Sequence, residues 1–265
     1  MSFPFARGSR AVIGVVHLPA LPGSPGYQQS RSQILDHALA DTEALIAGGV
    51  SGIIVENFGD APFFPSSVEA STIAEMAVIV RAIKQLSASA PVGVNVLRND
   101  SFAALAIAAA CGGSFIRVNV HTSAMLTDQG WIEGQAHETL RKRQAWDAGE
   151  IAIAADVGVK HAVRPEGFDI AQAAKDTAGR GHASAIIVTG SATGSSVDTA
   201  ELQKVREAIP QTPLLIGSGV DSENISELLK NADGVIVGTS LKEEGRVDAP
   251  VEVARVRQLM DQVNK

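Results

Sequence analysis

The chain has 265 residues, a length that fits one large domain or two small ones, and α/β barrels routinely fill it with one. Its formal charge of −7 and the absence of any basic run argue against a nucleic-acid partner. One cysteine, Cys111, excludes an internal disulfide framework. The composition is 45% hydrophobic and only 4% aromatic, which suits a parallel sheet of branched aliphatics wrapped by Ala-rich helices. Cys111 follows Ala108-Ala109-Ala110 and reads as a small buried residue at a helix end rather than a nucleophile. Residues 1–10 lack the apolar core of a signal peptide and form an N-terminal arm. No apolar run is long enough to cross a bilayer, so a cytoplasmic protein without an integral membrane segment is expected.

Apolar runs suited to buried parallel strands occur at residues 12–16, 53–55, 92–96, 115–120, 151–157, 185–188, 214–216 and 235–237. Segments with apolar residues at three- and four-residue spacing separate them: 34–47, 68–86, 102–110, 133–148, 170–178, 200–209, 222–229 and 251–263. Eight strands alternating with eight helices predict a (β/α)8 TIM barrel. No Pro/Ser-rich linker divides the chain, so residues 1–265 read as a single domain. An open doubly wound sheet is the alternative, but no GxGxxG follows the first strand. Residues 93–123 and 215–240 share one order: strand, polar turn, short helix, strand, Thr-Ser turn. That echo predicts strands 3–4 and 7–8 in equivalent positions of two half-barrels.

Active sites of such barrels lie where the strands end. The first strand ends at His17, ahead of a proline-rich loop that forms a fixed wall; His17 is an acid/base, a donor to an anion, or a histidine satisfied by the backbone. The second ends at Glu56-Asn57. Glu56 is a general acid/base candidate, or else a salt-bridge partner of Arg117 or Lys160. Asp60 reads as a turn-capping residue, while Phe58, Phe63 and Phe64 either cover a substrate or meet a neighbouring subunit of a homo-oligomer. Asn95 ends the third strand, and Arg117, Asn119 and His121 alternate along the fourth, so they share one face and line the pocket floor if that face is the barrel interior. Residues 122–130 are expected to act as a lid. Asp156 ends the fifth strand with Lys160 and His161 close behind. Paired with Glu56 it makes a two-carboxylate site; with His17 or His161 it offers a divalent-metal site, a minority reading because no HxH or HExxH spacing supports it. No cofactor is expected.

After the sixth strand, Thr189 opens the small-residue turn 189–196, which can wrap an anion or sugar hydroxyls; Asp198 then reads as a helix N-cap with Glu201 completing a capping box. Asp248, Ala249 and Pro250 read as the start of the last helix. Residues 213–240 carry the strongest local signal. One apolar run breaks into Gly217-Ser218-Gly219 and the next into Gly238-Thr239-Ser240. Glycines let backbone N–H groups face an anion, and helix N-termini add positive partial charge, so these six residues are candidates for phosphate binding.

The segments VIGVVHLPALPGSPGY (12–27) and GGVSGIIVENFGDAPF (48–63) resemble the BtpA/SgcQ family. GVNVLRND (93–100), FIRVNV (115–120), ADVGVKHA (155–162), VTGSATG (188–194), GSGV (217–220) and GTSLK (238–242) fit the same pattern, which covers nearly the whole chain. The resemblance implies a barrel of the phosphate-binding, ribulose-phosphate type, similar to phosphoribosylanthranilate isomerase. It brings no defined reaction and transfers no catalytic role. Two functional expectations follow. One is an enzyme acting on a small phosphorylated sugar or phosphoribosyl compound by isomerisation, lyase chemistry or glycosidic cleavage, with Glu56, Asp156, His17 and Lys160 moving protons. Its pocket would be lined by Asn57, Asn95, Arg117, Asn119, His121 and Thr189. The other is a non-catalytic photosystem I biogenesis factor, implied by one of the family's names.

Overall fold

The computed structural model describes residues 2–190 and 197–263. The chain alternates β1 (Ala11–His17), α1 (Arg31–Gly48), β2 (Gly52–Glu56), α2 (Ala70–Leu86), β3 (Val92–Asn95), α3 (Ser101–Cys111) and β4 (Phe115–Val118). A hairpin of β5 (Ala124–Thr127) and β6 (Gly130–Glu133) precedes α4 (Ala136–Ala145). Then come β7 (Ala152–Val157), β8 (Ala162–Val163), α5 (Ile170–Gly179), β9 (Ala185–Val188), α6 (Thr199–Ala208), β10 (Leu214–Ile216), α7 (Ile225–Leu228), β11 (Gly234–Val237) and α8 (Val253–Val263). Eight parallel strands close in the order β1-β2-β3-β4-β7-β9-β10-β11, with β11 pairing back to β1. The expected TIM barrel is present, and the 93–123 and 215–240 units stand four strands apart around it.

Period two divides each strand between two cores. Outward residues such as Val12, Val16, Ile53, Val55, Val94, Ile116 and Ile153 pack under the helices. Inward residues, among them Ile13, Ile54, Phe115, Ala152, Ala154, Ala185, Ile187, Leu215 and Ile236, fill the barrel. Its floor is closed by the N-terminal arm. Phe3 is buried and meets Phe115 edge-on at 5.3 Å between ring centroids, with Phe5 behind it at 5.6 Å. A Cβ on Gly93 would lie 2.3 Å from the Phe115 ring, so glycine makes room for it on one side, and Ala152 stands opposite Phe115 on the other.

Helix ends follow their local chemistry. Ser30 caps α1 in a reciprocal capping box with Gln33, which starts the helix three residues ahead of the expected point. Asp100 caps α3 and Asp198 caps α6. Glu201 does not complete a box on α6; its carboxylate takes a fork of hydrogen bonds from Arg164 instead. The helix after β10 is shorter than expected, since α7 has four residues. The last helix begins at Val253, because residues 246–249 close a turn, with Ala249 N–H donating to the Arg246 carbonyl, and Val251 then pairs with Lys242 in a β-bridge.

Residues 122–130 differ from the expected lid. They enter a three-stranded antiparallel sheet, β6-β5-β8, because Met125 and Ile132 share one face and bury against Val120, Val159 and Phe168, while Leu126 and Trp131 on the other face stay exposed. Cys111 is buried at the end of α3, as expected. Among the described residues, no helix is long and apolar enough to cross a membrane.

Candidate active site

The inward face that is apolar at the floor becomes polar within two residues at the other end. Val15 leads to His17, Ile54 to Glu56, Phe115 to Arg117, Ala154 to Asp156 and Ile187 to Thr189. Sheet register puts His17 opposite Glu56 and Glu56 opposite Asn95. A cavity of about 300 Å³ opens there, walled by Val15 and Ile236 below and by the turns after β10 and β11 at one side. His17, Glu56, Arg117 and Lys160 line it together with Gly217, Ser218, Gly219, Gly238, Thr239 and Ser240. Three of the four expected proton-transfer residues and all six expected anion-binding residues therefore meet in one space.

Arg117 is the electrostatic centre of this space. It is 3% exposed, and its guanidinium forks onto Asp156 at 3.0 and 3.1 Å. Its Nη1 stands 4.0 Å from Glu56, whose other oxygen is 4.0 Å from His17. Burial works against the Arg117 charge, but Asp156 and Glu56 outweigh it and raise its pKa further. His17 carries the opposite signature. Burial, helped by the positive charges of Lys242 and Lys160, pushes it down to about 3, so its imidazole is neutral across the working range. Its Nδ1 is buried without a hydrogen-bond partner among the described residues, and its ring leans on Phe58 at 4.8 Å. Burial also pushes Lys160 below the usual lysine range, with Arg117 and Arg98 acting the same way against Glu56 and Asp156.

Asp156 is fully engaged below the cavity rather than exposed to it. It accepts the two Arg117 bonds and a third from Asn119 at 2.9 Å. Asn95 donates in turn to Asn119 at 3.0 Å and to the Arg117 carbonyl. These side chains aim Arg117; Asn95 and Asn119 do not line the main cavity, contrary to expectation. β4 ends at Val118, so the alternation that was to bring His121 to the pocket stops short. His121 instead bonds the Gly181 carbonyl at 2.8 Å behind the barrel. Asn57 accepts from the Leu97 N–H and borders a side cavity of about 160 Å³. Thr189 donates to Gly158. Of the six residues expected to line the pocket, only Arg117 lines it. Asp60 serves the turn as expected, accepting from Leu21 and Asn57. The rest of the turn opened by Thr189, residues 191–196, lies outside the described residues.

The two glycine turns line one side of the cavity. Gly219 has φ +70°, a conformation that L side chains rarely adopt, and among the described residues the N–H groups of Ser218 and Gly219 have no acceptor. Thr239 and Ser240 open a single 3-10 turn, whose first N–H groups are unpaired by geometry. Gly238 is needed for space, since a Cβ there would lie 2.5 Å from the His17 ring. The serine hydroxyls are committed elsewhere: Ser218 accepts from Gly190 N–H and Ser240 donates to the Val220 carbonyl. Helix dipoles add little, because α7 and the turn at Thr239 are too short to build one.

Two arginines escaped the sequence reading. Arg255 lines the cavity beside the second turn, held by Glu252 at 2.9 Å. Glu252 and Arg255 at i,i+3 look like an ordinary surface pair in sequence. Arg98 donates to the Lys160 carbonyl at 2.6 Å. Its only signal was a position three residues past a strand-ending Asn95. The divalent-metal reading finds no group of three His, Cys, Asp or Glu among the described residues that could hold an ion.

The BtpA family model matches residues 8–265. The chain belongs to the BtpA family. It is 48% identical over 246 residues to the photosystem I biogenesis protein BtpA of Synechocystis, covering 92% of this chain and 85% of that protein. An uncharacterized protein of Thermococcus kodakarensis is 46% identical, covering 95% and 94%, and one of Caenorhabditis elegans is 34% identical, covering 96% and 92%. Among solved structures, this BtpA-family barrel is similar to one titled native KDPGal, with TM-score 0.59 at 15% identity over 96% and 94% of the chains. Phosphoribosyl anthranilate isomerase of Thermus thermophilus gives TM-score 0.55 at 12% identity over 96% and 98%, and KGPDC of Streptococcus mutans 0.58 at 11% over 98% and 98%. At these identities the likeness is one of fold.

Proposed function

We propose that this BtpA-family barrel is an enzyme of the isomerase or lyase type acting on a small phosphorylated sugar or phosphoribosyl compound. The observation that carries the reading is the convergence, in one cavity, of two backbone turns with unpaired N–H groups and the trio His17, Glu56 and Lys160. The phosphate lies against Ser218, Gly219, Thr239 and Ser240, with Arg255 at the rim. The sugar carbons then extend toward Glu56. Glu56 abstracts a proton from carbon, and Arg117, clamped by Asp156, holds that carboxylate and balances its charge. Lys160, with its lowered pKa, donates to the oxygen where negative charge develops. Neutral His17 offers an N–H to the same region without adding charge. Asp156 acts by positioning Arg117, and takes no part in proton transfer. The protein works in the cytoplasm.

Relatives from an archaeon and a nematode, at 46% and 34% identity, speak for a role wider than photosystem assembly. A biogenesis role remains the second reading because the cyanobacterial relative bears that name at 48% identity. Calorimetry against phosphate, ribose 5-phosphate and a panel of sugar phosphates is the test. The expected result is saturable binding that is lost in Gly219→Asp while its unfolding midpoint stays cooperative. No heat from any member of the panel would sink the proposal.

A further inference from the structure

A second cavity, about 220 Å³, adjoins the first and is lined by Phe63, Arg98, Asp128 and His161. Lys160 faces the first cavity, His161 faces the second, and Arg98 grips the Lys160 carbonyl from behind. Arg98 is 4% exposed. Asp156, Asp128 and Glu56 act on it at longer range, yet among the described residues no carboxylate comes within salt-bridge distance of its guanidinium. Buried arginines are normally paired, because a desolvated charge without a counter-ion is unfavourable. Of the five N–H donors on Arg98, one bond to a neutral carbonyl is the hydrogen bond it makes among those residues.

We propose that Arg98 anchors a second subsite that receives a carboxylate, so that the substrate carries phosphate at one end and a carboxylate at the other. This rests on the phosphate reading for its first end only. A carboxylate fits better than a second phosphate. The guanidinium fork matches a planar two-oxygen acceptor, and Asp128 on the same wall repels a dianion more than a monoanion. Phe63 supplies one apolar side of the cavity. The substrate class is then a phosphorylated sugar acid, with its middle carbons passing Lys160 and Glu56.

Two ligands of equal chain length separate the ends. 6-Phosphogluconate carries a carboxylate where glucitol 6-phosphate carries an alcohol. Calorimetry on the full chain is expected to give at least about tenfold tighter binding of the acid, the range of one charge-assisted contact. Arg98→Gln, which keeps a donor for the Lys160 carbonyl, should erase that preference, so that the acid and the alcohol bind with equal affinity. Asp128→Asn, should Arg98→Gln fail to fold, should strengthen binding of the acid alone. Equal affinities in the wild type, or a preference that survives Arg98→Gln or ignores Asp128→Asn, overturns the subsite. If no phosphate ligand binds, the phosphate reading fails by itself. Gluconate against glucitol, read by saturation-transfer NMR, then decides the subsite: gluconate binding that is lost in Arg98→Gln supports it, and no gluconate binding overturns it.

Discussion

The barrel's two ends are built from the same eight inward strand faces and solve opposite problems. At the floor, Phe3 and Phe115 fill the bore, with Gly93 making room. At the mouth, two residues further along each strand, the same face carries His17, Glu56, Arg117 and Asp156. The floor gains from removing apolar area from water, which is non-directional and tolerates exchange of similar volumes. The mouth must pay the desolvation of charges through exact partners, Arg117 with Asp156 and then Asn119 with Asn95. Stability at one end is separable from binding at the other, and that separation can be broken.

The largest effect is expected from Asp156→Leu. It strands the buried Arg117 guanidinium, which costs about 3–5 kcal/mol in urea unfolding, and it releases the group that steadies Glu56. Sugar-phosphate binding should fall with it. The double variant Arg117→Leu with Asp156→Leu should recover much of the stability but none of the binding. Next comes Phe115→Ala at the floor, where loss of the ring and the cavity left behind cost about 3–5 kcal/mol. Here the calorimetric affinity for sugar phosphates should stay within twofold of the wild type. If the floor substitution weakens binding as much as the mouth substitution, the two ends are not separable.

The floor was more legible than the mouth. Apolar runs of three to seven residues marked all eight barrel strands because parallel strands buried on both faces need them. The glycine turns were legible because a positive φ at Gly219 and the close approach of Gly238 to the His17 ring call for residues without a Cβ. Partnership was not. Asp156 and Glu56 end strands in the same way, yet one sits under Arg117 and Asn119 while the other faces the cavity; only the closed sheet decides which. Extending the period two from Arg117 to His121 failed because β4 stops at Val118. The hairpin of β5 and β6 was read as a lid because its few apolar residues are diluted by turn residues, and only Met125 and Ile132 bury. Arg98 and Arg255 were missed because an arginine after a strand or in a first helical turn is common, and burial or a cavity wall is a property of the fold.

Acid titration offers a smaller break of the same comparison. His17 has a pKa of 6.5 when unfolded and about 3 when folded. The unfolded chain binds the extra proton between those values, so stability is fully present above about pH 6.5 and declines as pH falls toward 3. His121 and His37, also lowered by burial, add in the same direction. His17→Gln removes one of these contributions. Urea midpoints measured from pH 7 to pH 4 should therefore fall less steeply in His17→Gln than in the wild type, whereas Phe115→Ala should shift the whole curve without changing its slope.

The smallest effect tests whether the proposed anion is bound through backbone or side chain. Ser240 sits in the second glycine turn, where a hydroxyl beside a phosphate would ordinarily be taken as a ligand. Its Oγ already donates to the Val220 carbonyl at 2.6 Å, which ties the turn after β11 to the turn after β10. Ser240→Ala should therefore lose about 0.5–1.5 kcal/mol of stability, the net worth of one neutral hydrogen bond, and leave phosphate affinity within about twofold by calorimetry, under 0.5 kcal/mol. Gly238→Ala, two residues away, removes no bond but drives a methyl to 2.5 Å from the His17 ring, and should reduce affinity by much more. A large loss in Ser240→Ala with a small one in Gly238→Ala would reverse the assignment. The hydroxyl would then be a ligand, and its contact with Val220 one that the bound state gives up.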